Sequence, residues 1–162
     1  MSVQHYLNLK NKLPVESVSL GYKTVTLFAA HELHDAQIGY SISDSGDSFV
    51  GEQAGDWKEN WLVIGYEELC GDPIFVDLSK SELPVFTAAH GDDDWNPVLI
   101  GSSLDGFVQA LLKVKRVSQG RTNPVQLEHN PVSEIEREKL LSRIVELNQN
   151  ASLEFWANWF AV

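Results

Sequence analysis

The sequence predicts an α+β fold: a single domain with a mostly antiparallel central sheet, flanking helices and a helical C-terminal half. Three observations support this prediction. At 162 residues the chain is close to the usual size of one domain, and no long linker or internal repeat divides it. Its strand-like segments come first and are joined by short connections, which antiparallel neighbours require. Amphipathic helical patterns follow them in the C-terminal part of the chain.

The strands are indicated by β-branched and aromatic residues and by alternation between apolar and polar positions. Residues 61–66 are a continuous apolar run, which predicts a strand that is buried on both faces. Residues 38–42 place Ile38, Tyr40 and Ile42 on one side, which also fits a strand. The predicted strands are residues 18–20, 24–28, 38–42, 61–66, 73–79, 85–87 and 98–100.

Two segments between these strands are less regular. Residues 29–36 fit either a short helix or a continued strand. Residues 43–56 are rich in Gly, Ser and Asp. Because these residue types favour turns over regular structure, the segment is predicted to be a surface loop.

Capping residues and helical periodicity predict three helices after residue 101. Ser102 or Ser103 can cap the first helix. Its core-facing stripe consists of Leu104, Phe107, Val108, Leu111 and Leu112. The second helix begins with a capping box formed by Ser133 and Glu136, and Asn150 can cap the last helix.

The net charge is −11, and its distribution along the chain is uneven. Residues 1–112 contain 17 Asp and Glu but five Lys and Arg, whereas residues 113–121 carry four basic residues. A strongly acidic surface repels phosphate groups, which argues against nucleic-acid binding. The same surface attracts basic partners and accelerates their encounter. We therefore expect a basic protein partner, although solubility alone also accounts for an acidic composition.

Composition also indicates where the protein acts. The chain is 43% hydrophobic, but no apolar run approaches the ~20 residues that cross a bilayer. The N-terminus lacks the basic region and long apolar stretch of a secretory signal. The lone Cys70 cannot form an internal disulfide, which suits a reducing compartment. These features predict a cytoplasmic protein without membrane contact, and they leave its oligomeric state open.

Histidines offer few candidates for catalysis or metal binding. His31 and His34 would share one face of a helix, and Asp35 could orient one of them. Their spacing differs from the HExxH motif of zinc proteases, and no cysteine or acidic cluster elsewhere in the sequence obviously completes a site. His90 has no nucleophile elbow or triad signature near it. We predict no catalytic residue, no metal and no cofactor; an enzyme or metal protein that uses these three histidines is the alternative.

The densest polar cluster is residues 90–95, in which three successive aspartates precede Trp95. The spacing of these carboxylates differs from that of an EF-hand loop. A loop of this composition suits protein contact, because tryptophan is enriched at interface hot spots. The predicted protein-contact residues are His90, Asp92, Asp93, Asp94, Trp95, Asp44, Asp47, Glu52, Asp56, Glu67 and Glu68.

An ordered series of short motifs runs through the central block of the chain. It comprises Ile64-Gly65, Gly71-Asp72, Ile74 to Leu78, Pro84 to Phe86, His90-Gly91, Trp95, Pro97, Ser102-Ser103, Phe107 and Leu111, followed near the end by the segment FWANWF. This series resembles the SUKH superfamily, the SMI/KNR-like family, over about the last two-thirds of the chain. The N-terminal third, about residues 1–56, is divergent. The family usually opens with a helix that carries an acidic residue and leads into an LP motif, whereas Leu13-Pro14 comes very early here.

The resemblance implies a single α+β domain over residues 1–162, with a central sheet flanked by helices and no enzymatic mechanism. Bacterial members of the family are mostly regarded as immunity proteins, which bind and neutralise toxins, many of them nucleases. Fungal members look like scaffolds in cell-wall and signalling networks. We therefore expect a non-enzymatic immunity protein that binds a basic toxin domain. The alternative is a regulatory scaffold or adaptor that binds host signalling or envelope proteins.

Overall fold

One antiparallel sheet organises the molecule, and strands that are neighbours in sequence are neighbours in space. The computed structural model describes residues 2–91 and 93–161. The strands are β1 (Ser17–Leu20), β2 (Lys23–Leu27), β3 (Trp61–Glu67), β4 (Pro73–Asp77), β5 (Val85–Thr87) and β6 (Val98–Gly101). Every pair of adjacent strands is antiparallel. The predicted α+β class with an antiparallel sheet is therefore confirmed.

Helices precede and follow this sheet along the chain. They are α1 (Val3–Lys10), α2 (Leu104–Val117), α3 (Pro124–His129), α4 (Glu134–Leu147) and α5 (Leu153–Ala157). Short 3₁₀ helices occupy Ala30–Glu32, Asp35–Gln37 and Asn158–Phe160. The part of the chain after β6 is thus helical, as predicted. No helix among the described residues is long and apolar enough to cross a membrane.

Side-chain caps begin α2, α3, α4 and α5, whereas Ser2 before α1 forms no side-chain capping hydrogen bond. Ser103 accepts a hydrogen bond from the Gly106 amide at the start of α2, and Ser133 begins α4 with the predicted capping box. The expectation that Asn150 caps the last helix is wrong. Asn150 adopts a left-handed conformation with φ of 65°, and Ser152 caps α5 instead.

Aliphatic side chains fill the inner face of the sheet, which carries Leu62, Ile64, Ile74 and Val76. Helix α2 packs onto this face through Phe107 and its apolar stripe, and α4 packs onto α2. The C-terminal segment closes the β6 edge: the Ser152 amide donates to the Leu99 carbonyl (2.7 Å), and Trp156 Nε1 donates to the Ile100 carbonyl (2.9 Å). The inner core therefore lies between the sheet and the helices that pack on it.

Aromatic side chains cover the opposite, outer face, which carries Trp61, Val63, Phe75 and Phe86. The segment between β2 and β3 runs over this face and brings Trp57 and Tyr40 onto it. The loop between β5 and β6 adds Trp95. The outer face thus has a core of its own, and irregular chain covers it.

Three differences from the predicted elements concern the first third of the chain and the region after α2. Residues 38–42 are not a strand: Gly39 has φ of 90°, and the apolar side of the segment packs Tyr40 against Trp57. Residues 29–36 form 3₁₀ turns rather than a continued strand. The short helices α1 and α3 were not predicted, because Tyr6 is the one buried residue of α1 and Leu127 that of α3.

Candidate protein-contact surface

Trp57 is the centre of the aromatic cluster on the outer face and is 1% exposed. Its ring centroid lies 4.8 Å from that of Phe75 and 5.3 Å from those of Tyr40, Trp61 and Trp95. Its indole Nε1 donates a hydrogen bond to the Trp61 carbonyl (3.2 Å). Burial, and then the carboxylate of Asp72, raises the pKa of Tyr40, so its hydroxyl stays neutral inside this cluster.

The cluster joins two loops into one surface, namely residues 43–60 and the described part of the β5–β6 loop, residues 88–91 and 93–97. The Trp95 amide donates a hydrogen bond to the Gly55 carbonyl (2.8 Å). Gly55 has φ of 89°, and the Asp94 carboxyl group occupies the space that a side chain at position 55 would need. Because glycine tolerates both constraints, the loops can approach this closely. The Asp94 carboxyl group of one loop therefore packs directly against the backbone of the other loop.

Five of the predicted contact residues are exposed carboxylates on these two loops. They are Asp44, Asp47, Glu52, Asp93 and Asp94. Asp47 is oriented by its neighbours, because Ser45 Oγ donates to its carboxylate (2.9 Å) and its amide donates to Ser43 Oγ (2.9 Å). None of the five forms an ion pair with any residue in 2–91 or 93–161. Their negative potential is therefore available to a partner.

Phe49 and Val50 add an apolar element that the sequence analysis did not identify. Both lie between Asp47 and Glu52, and their side chains are 53% and 38% exposed. An apolar pair inside a loop of Gly, Ser and Asp was the available signal. We use the name acidic loop surface for the exposed carboxylates of residues 44, 47, 52, 93 and 94 together with Phe49 and Val50.

A cleft of about 580 Å³ opens beside Val50 at the base of this surface. Trp61 contributes an aromatic wall, and Glu52, Glu59 and Asp77 contribute carboxylates. The one cation in its lining, Lys58, is held by the backbone: its ammonium donates to the Gly51 carbonyl (3.3 Å) and to the Gln53 carbonyl. An aromatic wall with nearby carboxylates suits the ammonium or guanidinium group of a partner side chain.

His90 and Trp95 hold the loop between β5 and β6 in place. The His90 amide donates to Asp72 Oδ1 (3.0 Å), and its ring Nδ1 lies 3.4 Å from the same oxygen. Trp95 is half-buried, and its ring packs against that of Trp57. Asp92, which was also predicted as a contact residue, lies outside the described residues.

Three predicted contact acids do not lie freely on this surface. Glu67 is 5% exposed, because its carboxylate accepts hydrogen bonds from the Leu69 and Cys70 amides (2.9 and 3.0 Å); its assignment as a surface contact is corrected. Glu68 is exposed at the β3–β4 turn but accepts a hydrogen bond from Thr26 Oγ1 (3.1 Å). Asp56 is half-buried and accepts from the Gln53 amide (2.8 Å), so it shapes its own loop.

The groups considered for chemistry lie apart from one another. His31 and His34 are exposed in the 3₁₀ segment, whereas His90 lies on the other loop beside Asp72. In residues 2–91 and 93–161, no three His, Cys, Asp or Glu side chains are grouped so that they could hold a metal ion. Partial desolvation, followed by the carboxylates of Glu67 and Asp72, raises the pKa of Cys70, which keeps this thiol protonated.

Comparisons of the chain with family models, with curated proteins and with solved structures find no match. The fold and the surface define an α+β domain whose outer sheet face carries an acidic, aromatic-backed surface. The resemblance to the SUKH superfamily rests on the sequence motifs alone.

Proposed function

We propose that this chain is a non-enzymatic, protein-binding domain of the SUKH type. It acts as an immunity protein that neutralises a basic toxin domain by direct binding. The observation that carries the proposal is the acidic loop surface, in which exposed carboxylates flank an exposed phenylalanine on loops held by the buried Trp57 and the half-buried Trp95. Surfaces that recognise proteins combine an apolar anchor with charges that set register and encounter rate.

The charge of this surface selects the class of partner. A nuclease toxin, as one example, needs a basic cleft to hold phosphate groups. A binding protein that covers such a cleft gains from carboxylates that are not already neutralised, as is the case for Asp44, Asp93 and Asp94. The lone Cys70 fits a reducing cytoplasm, which is where we propose that the protein acts.

The apolar and aromatic groups of this surface contribute affinity, whereas its charges raise the rate of association. Phe49 is the anchor of the proposed contact, because a buried aromatic side chain contributes more to affinity than a rim charge. The cleft at Trp61 receives an arginine or lysine side chain of the partner, stacked on the indole and paired with Glu52 or Glu59. Phe49 lies on a loop, and the cleft opens at the start of β3 and the end of β4.

The test begins with capture of partners from the native host by the wild-type chain, with each co-purifying chain identified by mass. Association and dissociation rates are then measured over a range of salt concentrations for two variants. Replacing Asp93 and Asp94 by Lys should slow association about tenfold at low salt and flatten its salt dependence. Phe49→Ala should mainly speed dissociation, by about tenfold.

The matched control reverses two acids at exposed positions of the helical side, Glu128→Lys with Glu138→Lys, and so changes the net charge by the same amount. This control should keep the wild-type rates and the wild-type Tm. If the Asp93 and Asp94 variant associates at the wild-type rate with the same salt slope, the acidic loop surface is not the contact. A bound host signalling or envelope protein without toxic activity would replace the immunity role by the scaffold role.

A further inference from the structure

A groove between α2 and α4 has the opposite charge to the rest of the molecule. Its volume is about 310 Å³. Val117 and Leu140 form an apolar floor. The groove is lined by Lys113, Arg116, Val117, Glu136, Lys139, Leu140 and Arg143. We use the name basic groove for these residues.

The cations of the basic groove are mostly unpaired. Arg143 pairs with Glu146 (2.6 Å), and Glu136 lies 3.8 Å from Arg121 rather than from a groove cation. Lys113, Arg116 and Lys139 form no ion pair with any residue of the described ranges. An apolar floor between unpaired cations is complementary to an apolar side chain between carboxylates.

The chain itself carries such a complement. On the acidic loop surface, Phe49 and Val50 project between Asp47 and Glu52 and are exposed. The two features cannot meet within one molecule, because α2 packs on the inner face of the sheet and the acidic loop surface lies over the outer face. They can meet between two molecules.

We propose that the basic groove of one copy receives the Phe49 side chain of a second copy, so that the chain self-associates head to tail. The rim cations of the groove then lie against Asp47 and Glu52. Such a contact is heterologous, so each copy keeps one free groove and one free loop and the association is open-ended. The basic groove has no part in the proposed immunity function, but Phe49, Asp47 and Glu52 belong to the acidic loop surface, so a toxin and a second copy would compete for that surface.

The net charge of −11 does not prevent this contact at physiological salt. The Debye length is about 8 Å at that ionic strength, so distant charges on the two copies are screened while charges across the contact are not. A contact limited to one loop and one groove is small, which places its affinity in the micromolar to millimolar range. Added salt beyond the physiological level should weaken it, because the rim contribution is electrostatic.

The experiment is sedimentation equilibrium of the full chain from micromolar to millimolar concentration, at physiological and at high salt. The weight-average mass of the wild type should rise with concentration and fall with added salt. Phe49→Ser should weaken association about tenfold, and so should Arg116→Glu with Lys139→Glu in the groove. The matched controls are Lys115→Glu with Arg137→Glu, which change the same helices outside the groove, and Val125→Ser, which removes an exposed apolar residue of α3.

Mixing separates this contact from general stickiness. The groove variant keeps its Phe49, and the Phe49→Ser variant keeps its groove. An equimolar mixture should therefore form a 1:1 dimer that does not grow further, while each variant alone associates about tenfold more weakly than the wild type. The proposal is overturned if the wild type stays monomeric at millimolar concentration, if the controls weaken association as much as the test variants, or if the mixture does not dimerise.

Discussion

The two faces of the sheet are covered in different ways. On the inner face, aliphatic side chains meet α2, and the helices that form this cover begin at capped residues. On the outer face, aromatic side chains meet the irregular segments 29–60 and 88–97. Both covers bury their central residues almost completely, since Phe107 and Trp57 are 0% and 1% exposed.

This difference explains how irregular loops can present a defined surface. The inner cover is ordered by backbone hydrogen bonds in its helices and by many side chains. The outer cover depends on a few aromatic rings, above all Trp57. Its ring packs against Tyr40 from the β2–β3 segment and against Trp95 from the β5–β6 loop. The proposed contact residues therefore depend on a small number of anchors, and the comparison can be tested by removing an anchor from each face.

The largest expected effect is on the inner face. Phe107→Ala should lower the free energy of unfolding by about 4 kcal/mol, because regular helices cannot collapse into the gap that the ring leaves. Chemical denaturation followed by tryptophan fluorescence and by circular dichroism measures this loss. Phe107→Leu is the milder control and should cost about 1 kcal/mol. A loss below about 1 kcal/mol for the alanine variant would contradict the view that the inner core carries the fold.

Trp57→Ala on the outer face should lower the free energy of unfolding by about 3 kcal/mol. This loss is smaller than that of Phe107→Ala, because irregular chain can settle into part of the gap. Hydrogen exchange should show which amides lose protection when the outer face is weakened. Amides in residues 43–60 should lose protection first, while those of α2 keep the protection set by the remaining global stability. Uniform loss of protection over both faces would mean that the two covers unfold as one unit, and the comparison would fail.

The inner side of the molecule was largely predictable from sequence, because its signals are local. Alternation and β-branched residues predicted the strands of the sheet, and the Ser133–Glu136 capping box fixed the start of α4. The same local rules failed where a segment has few buried residues, as in α1, whose one buried residue is Tyr6. Residues 38–42 failed for another reason: Tyr40 packs on Trp57, but Ile38 is exposed and the segment pairs with no strand of the sheet.

The candidate surface was predictable only as separate acids. Sequence identified Asp44, Asp47 and Asp94 as contact candidates, but the contact between their two loops depends on Trp95 packing against Trp57. No local pattern reports a contact of this kind. The exposure predicted for Glu67 was wrong because a carboxylate at the end of a strand can satisfy the amides of the turn that follows it.

A smaller effect should follow from Gly55→Ala, which affects the contact between the two loops. The substitution combines a left-handed conformation with a collision at the Asp94 carboxyl group, and it should cost about 2 kcal/mol. Gly46→Ala is the matched control, since Gly46 has φ of 87° and no neighbour near the added carbon, and it should cost about 1 kcal/mol. Equal losses of unfolding free energy in thermal or chemical denaturation would show that Asp94 does not pack against the loop in solution.

The smallest expected effect distinguishes the two covers by pH. Hydrogen bonds from the Ser133 amide and then its hydroxyl, with Arg121 nearby, lower the pKa of Glu136 at the start of α4. Because the folded-state pKa is below that of the unfolded chain, this stabilisation is complete above the ordinary glutamate pKa of about 4.3 and is lost as the pH falls through the folded-state pKa.

Glu136→Gln keeps a capping side chain but removes its titration. The Tm of the wild type should therefore exceed that of the variant at neutral pH, and the difference should shrink in acid below the ordinary glutamate pKa. The aromatic anchors of the outer face do not ionise in this range, so the difference in Tm between the wild type and Trp57→Phe should stay nearly constant over the same interval. If the difference in Tm between the wild type and Glu136→Gln also stays constant, the ionised Glu136 carboxylate does not stabilise the start of α4. The inner and outer covers would then not differ in their dependence on pH.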